Sequence, residues 1–165
     1  MQKFYTIGYE GASLGDFLDT LVSVEVDRVI DIRDVPASRR AGFSKNSLRA
    51  ALAEHGIEYT HFKPLGDPKA GREAMRRGDV KEFTKIFEQH IQSNGAQEAL
   101  KNVVEIACQE SVALLCFERD PKYCHRTIVA ARMCELASLE AKHIGVKKQK
   151  GSAIERATEV HAEIG

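Results

Sequence analysis

Apolar positions along the chain follow two periods. Short runs rich in β-branched and aromatic residues predict strands at 3–7 (KFYTI), 26–32 (VDRVIDI), 57–62 (IEYTHF) and 112–117 (VALLCF). Between them, apolar residues recur every three or four positions and predict helices. The first has Ser13 as N-cap and carries Leu14, Phe17, Leu18 and Leu21. Others span 46–55, ending at Gly56, then 80–91 with Phe83, Ile86, Phe87 and Ile91, and 96–108 with Leu100, Val103 and Ala107. Asp120-Pro121 opens a further helix, with Asp as cap and Pro at the first position, carrying Val129, Met133 and Leu136. Residues 63–79, with Pro64, Gly66, Pro68, Gly71 and Gly78, read as a long irregular connection with a helical piece at 72–77. A last short strand is expected at 143–146.

This alternation predicts an α/β fold: one mainly parallel sheet of four to five strands with helices on both faces. The 165 residues suit a single domain, placed at 1–146, with a polar tail at 147–165 as a candidate surface helix. The hydrophobic fraction of 43% excludes disorder as the main state. Lys+Arg and Asp+Glu are 24 each, which excludes a wholly basic nucleic-acid coat but not a local basic patch. No window approaches the ~18 apolar residues of a membrane span. The start, MQKFYTIGYEG, carries no secretory pattern, so a cytoplasmic location is expected. In that compartment Cys108, Cys116, Cys124 and Cys134 are expected to be free, metal-bound or catalytic thiols.

In open α/β sheets, ligands bind beyond the carboxyl ends of the strands. Tyr9 and Glu10 follow the first predicted strand. Arg33, Ser38, Arg39, Arg40, Phe43, Ser44 and Lys45 follow the second, with Asp31 just inside it. His61 ends the third, and Cys116, Glu118, Cys124, His125 and Arg126 come at or after the end of the fourth. A thiolate at Cys124 would gain from a helix N-terminus, and a thiolate is a nucleophile. His125 is then a proton shuttle, and Glu118 an acid, a base or an arginine clamp. The competing reading is that Cys116 and Cys124 are small buried hydrophobes.

Residues 33–49 hold five basic side chains (Arg33, Arg39, Arg40, Lys45, Arg49) against one acid, Asp34. Arginine forks suit phosphate or carboxylate, and Phe43 or Tyr9 could stack on a base. The competing reading is a solvated loop in which Asp31 and Arg33 pair for structure. Arg72, Arg76, Arg77, Lys69 and Lys81 form a second basic cluster that could extend such a surface.

Four motifs, TIGYEG (6–11), DIRDVPASRRAGFSK (31–45), GIEYTHFKPLG (56–66) and CFERDPKYCHR (116–126), resemble the domain-of-unknown-function family 488. The resemblance implies a small prokaryotic α/β protein, usually cytoplasmic, and no settled activity. A weaker likeness is to rhodanese-like domains, where Asp31-Ile-Arg33 and Cys116 fall at matching places. Arg126, ten residues after Cys116, departs from their shorter anion cradle.

Together these readings favour an enzyme, a Cys-dependent transferase or hydrolase acting on an anionic small molecule, nucleotide or nucleic-acid component. It needs no cofactor, metal or membrane. A non-catalytic nucleotide or nucleic-acid module is the first alternative. The second is a metal-binding or thiol redox protein using Cys116, Cys124 and His125.

Overall fold

The most apolar run of the chain, VALLC, becomes the middle strand of the sheet, buried at every position. In the computed structural model, which describes residues 1–148, β1 (Gln2–Gly8), β2 (Arg28–Asp31), β3 (Glu58–His61), β4 (Val112–Cys116) and β5 (Leu139–Ile144) form one sheet. Its order is β3-β2-β4-β1-β5, and every neighbouring pair is parallel. A parallel strand flanked on both sides and covered on both faces must be apolar throughout, as β4 is.

The helices are α1 (Leu14–Ser23), α2 (Lys45–Ala53), α3 (Lys69–Arg76), α4 (Val80–Ile91), α5 (Asn94–Gln109) and α6 (His125–Leu136). One face of the sheet packs Ile7, Val29, Ala113 and Leu115 against Phe17 and Leu21 of α1 and Leu48 and Leu52 of α2. The other packs Phe4, Ile30, Val112 and Leu114 against the apolar sides of α3 to α6. The single α/β domain with helices on both faces is therefore as expected.

Connections after β1 and β2 run to one face, and that after β4 runs to the other. A crevice therefore opens at the carboxyl end of β4, between loops that diverge. Register brings the strand ends level there: Gly8 pairs with Cys116, and Asp31 with Leu115.

Three boundaries differ from the sequence reading. The last strand is residues 139–144, not 143–146. It is a sheet edge, and its Glu140 and Lys142 break up the apolar signal, as charges on edge strands do. The helix of the long connection is α3, starting at Lys69 directly after Pro68. Asp120 and Pro121 open only a short 3₁₀ turn, Pro121–Tyr123, and α6 begins at His125 with Cys124 as its N-cap. The Asp120 side chain accepts from Lys122 N–H, while Arg126 reaches back to the Glu118 and Arg119 carbonyls. Those bonds hold the backbone out of the helix. Part of the proposed tail, 149–165, lies outside the described residues.

Gly8 lets the segment after β4 close over β1. A Cβ there would overlap the Glu118 carbonyl and the Arg126 guanidinium. Gly8→Ala is expected to cost about 2 kcal/mol of stability, as overpacking of a filled site does. Gly145→Ala, with open space around it, should stay within about 0.5 kcal/mol of wild type. Urea denaturation of both variants tests the pair.

Candidate functional site

The segment between β4 and α6 is organised by Arg126, which is 1% exposed. One Nη donates to the Glu118 carbonyl at 2.6 Å and to Cys116 Sγ at 3.2 Å. The other donates to the Arg119 carbonyl at 3.0 Å. Burial holds this guanidinium below its ordinary value, against the pull of Glu118 and Asp120. Across the ten residues that separate it from Cys116, the loop folds back so that Arg126 meets the sulfur.

Cys124 Sγ accepts from the Arg126 backbone N–H at 3.4 Å, so the thiol itself caps α6. The Cys116 and Cys124 sulfurs are in direct bonding contact. This corrects the expectation that all four cysteines are free, metal-bound or catalytic thiols: Cys116 and Cys124 are joined as a disulfide. Cys108 and Cys134 are unpaired and exposed. The sequence reading missed the pairing because eight residues of irregular backbone separate the two, and only the folded loop brings them together.

His125 lies beside the pair. Its Nε2 donates to the Ile32 carbonyl at 2.7 Å, and its Nδ1 is 3.7 Å from Cys124 Sγ. A carbonyl only accepts, so Nε2 carries the proton and Nδ1 presents its lone pair to the sulfur. Burial, the largest cause, pushes the His125 pKa down to about 4, and the charge of Arg126 adds to it.

The end of β2 is held by a second buried cation. Arg33 forks onto Asp31, with Nε to Oδ1 at 2.9 Å and Nη2 to Oδ2 at 2.8 Å. Its other Nη donates to the Phe43 carbonyl at 2.7 Å and Tyr9 Oη at 3.2 Å. Burial alone would lower the Arg33 pKa, but the hydrogen bonds and charge of Asp31 outweigh it and raise it. Tyr59 Oη also donates to Asp31. The structural reading of Asp31 and Arg33 is the one these bonds support.

Phe43 is fully buried, stacked on Tyr9 and edge-on to Phe17. It has no face left for a base, and Tyr9 is only 2% exposed. Stacking by either is corrected by their place in the core. His61 Nε2 bonds the Arg33 carbonyl at 2.7 Å, a scaffold contact. The Ser44 hydroxyl accepts from Ser38 N–H and donates to the Ser38 carbonyl, the Ser38 hydroxyl accepts from Arg40 N–H, and Lys45 N–H donates to the Pro36 carbonyl. Ser44, Lys45, Phe43, Asp31, His61, Cys116, Cys124 and Arg126 are not among the residues that line the cleft described next. Tyr9, Glu10, Arg33, Ser38, Arg39, Arg40, Glu118 and His125 line it.

That cleft, about 1280 Å³, occupies the carboxyl edge of the sheet. Five arginines and five carboxylates line it, so its charge depends on which acids hold protons. Glu10 Oε1 accepts from Arg119 N–H at 3.1 Å. Asp34 pairs with Arg72 at 2.7 Å and Lys63 at 3.1 Å, which together overcome burial and keep its carboxyl below the usual range. Glu118 is raised, first by burial and then by the charge of Glu10.

Asp67 is the lining residue that the sequence reading overlooked. It sits in the Gly/Pro-rich connection, in Gly66-Asp67-Pro68, whose composition signals only a turn. The residue is 7% exposed, and its Oδ1 has no hydrogen-bond partner. Gly71 leaves the room this carboxyl occupies. Burial first, and the Glu118 charge second, raise its pKa from 3.8 to about 7.

A carboxyl whose folded pKa is raised stabilises the fold most below its unfolded value, and that gain is lost as pH climbs through about 7. Asp67→Asn is therefore expected to match wild type near pH 3.5, to pull ahead as pH rises from there to about 7, and to unfold at higher urea than wild type at pH 8. Equal midpoints at pH 8 would refute an ionising buried Asp67.

Comparisons with known proteins agree with the motifs. No curated protein and no solved structure matches the chain. One family model, described as "Domain of unknown function DUF488", matches residues 13–133, well over half of the chain and all the elements that shape the cleft except β1, β5 and the loop after β1. The protein belongs to the DUF488 family.

Proposed function

We propose that the protein is a cysteine-dependent enzyme, a transferase or hydrolase whose nucleophile is Cys124 and whose substrate is an anion held in the cleft. The observation that carries this reading is the setting of Cys124 Sγ. It caps α6, takes the Arg126 N–H at 3.4 Å, and faces the lone pair of His125 Nδ1 at 3.7 Å. Once the Cys116–Cys124 bond is reduced, the helix N-terminus favours the Cys124 thiolate, whose proton is lost to solvent, while the neutral imidazole, with a pKa of about 4, keeps its lone pair toward the sulfur. The thiolate pair then attacks the electrophilic atom, and the leaving group departs with its bonding electrons and takes up a proton. Glu118, which lines the cleft with a carboxylate oxygen within 4.8 Å of both sulfurs, is the acid placed to give it.

Support for an anionic substrate comes from the exposed side chains of Arg39, Arg40 and Arg76 on the cleft wall. Arg33 is not among them, since Asp31, Phe43 and Tyr9 occupy its donors. With Phe43 and Tyr9 buried, the purely base-stacking module loses its two aromatic platforms.

Cys124 is 3% exposed, so the test uses small reagents. In protein reduced and freed of metal with a chelator, iodoacetate and iodoacetamide are compared site by site at pH 6.5 by mass spectrometry. The expected result is that the ratio of iodoacetate to iodoacetamide rates at Cys124 exceeds that at the exposed Cys108 and Cys134 at least fivefold. Arg39→Ala combined with Arg40→Ala should return the ratio to theirs. A Cys124 that resists both reagents until the chain unfolds would sink the nucleophile. A ratio no greater than that of Cys108 would sink the anion-selective cleft.

A further inference from the structure

We propose that Cys116, Glu118 and Cys124 form a binding site for one thiophilic divalent cation of the zinc type, open to the cleft. This goes beyond the nucleophile reading and needs only the reduced sulfurs, not their reactivity.

The geometry carries it. One ligand atom from each of the three residues lies within 4.8 Å of the other two, so a single ion can touch all three. The two sulfurs are buried, and Glu118 lines the cleft. The Glu118 carboxylate forms no ion pair with a side chain within 4 Å among the described residues and takes only its own backbone N–H, whereas Asp34 and Asp31 are engaged by arginine and lysine or by arginine and tyrosine. Two soft sulfurs and one carboxylate select zinc-like ions over magnesium or calcium.

The surroundings suit metal-bound thiolates. Each sulfur receives an N–H donor, Cys124 from the Arg126 backbone at 3.4 Å and Cys116 from the Arg126 guanidinium at 3.2 Å. Such outer-shell bonds orient metal ligands and tune them. Charge closes as well. Two thiolates and a carboxylate beside one guanidinium leave a net of minus two, and a divalent cation brings the buried group to neutrality. Two thiolates this close need a cation beside them; only after losing two electrons to an oxidant do they bond to each other instead.

The ligand set differs from the one the sequence suggests. His125 is not in the group: its Nε2 is bound to the Ile32 carbonyl, and as Cys124's chain neighbour it is poorly placed to share one ion with that residue. Glu118 takes its place. Three protein ligands with the fourth position facing a cleft is the arrangement of zinc sites that bind an outside ligand or water.

The test uses the whole chain, reduced and stripped of metal, titrated with Co(II) and then Zn(II). Expected is uptake of one cobalt per chain with a thiolate-to-cobalt charge-transfer band in the near ultraviolet, bleached by one equivalent of zinc. Cys116→Ser and Cys124→Ser should each weaken uptake at least a hundredfold, and Glu118→Gln at least tenfold. Cys108→Ser and Cys134→Ser, both at exposed positions, should leave it unchanged.

Should a cysteine variant fail to fold, the wild-type chain decides. Blocking its thiols with methyl methanethiosulfonate should release one zinc to a chromophoric chelator. No uptake by the reduced protein, uptake without the charge-transfer band, or zinc that survives thiol blocking would each overturn the site. Unchanged affinity in Glu118→Gln would overturn the three-ligand assignment. None of these outcomes alters the iodoacetate selectivity of Cys124, so the two proposals fail separately.

Discussion

A buried guanidinium that hydrogen-bonds no carboxylate sets the shape of the sheet's carboxyl edge. Arg126 finds its partners in two carbonyls and a sulfur. Burying a charge is costly unless its donors are satisfied, so the chain from Glu118 to Arg119 wraps the two Nη groups, leaving only the buried Nε without a partner. That wrapping delays α6 until His125, turns Cys124 into a helix cap and lays Cys116 against it. It also presses the loop onto β1, where only a residue without a side chain fits. Gly8, Cys116 and Arg126 are therefore one constraint, although they are far apart in sequence.

A second ion system does the same for the neighbouring strand. The Asp31–Arg33 pair spans the end of β2, fixes Phe43 through its carbonyl and holds Tyr9 against it. Buried pairs of this kind add little net stability, but removing one partner leaves a costly orphan charge. Their effect here is positional. They anchor the floor of the cleft so that the loop bearing Arg39 and Arg40 starts from a rigid base. The wall opposite is built by the Asp34–Arg72 pair and the buried Asp67. Rigid anchors beneath exposed, charged loops are how α/β folds hold a site at the strand ends.

Much of this architecture is legible in the linear pattern. The β-branched runs and the three-to-four spacing mark four of the strands and the long helices, because burial on two faces and on one face leave different periods. The edge strand β5 is harder, since its charges mask the period. The convergence of reactive residues at one edge is legible too, because parallel topology puts every strand end on the same side. What misleads is residue chemistry read without partners. Arg33 and Phe43 carry the right groups for binding a ligand, yet Asp31 and Tyr9 consume them. Asp67 looks like turn punctuation, yet it lies buried in the cleft wall.

The sequence by itself determined the fold class, the parallel sheet, the edge at which the candidate residues gather and the family, since these rest on local periodicity and on motifs contiguous in the chain. The tertiary structure alone decided which charged groups are occupied and which face the cleft. It also decided that Cys116 and Cys124 touch, and that Glu118 joins them in place of His125. The reason is physical. Hydrogen-bond saturation, desolvation and close approach depend on distances between residues remote in sequence, and no local pattern encodes those distances.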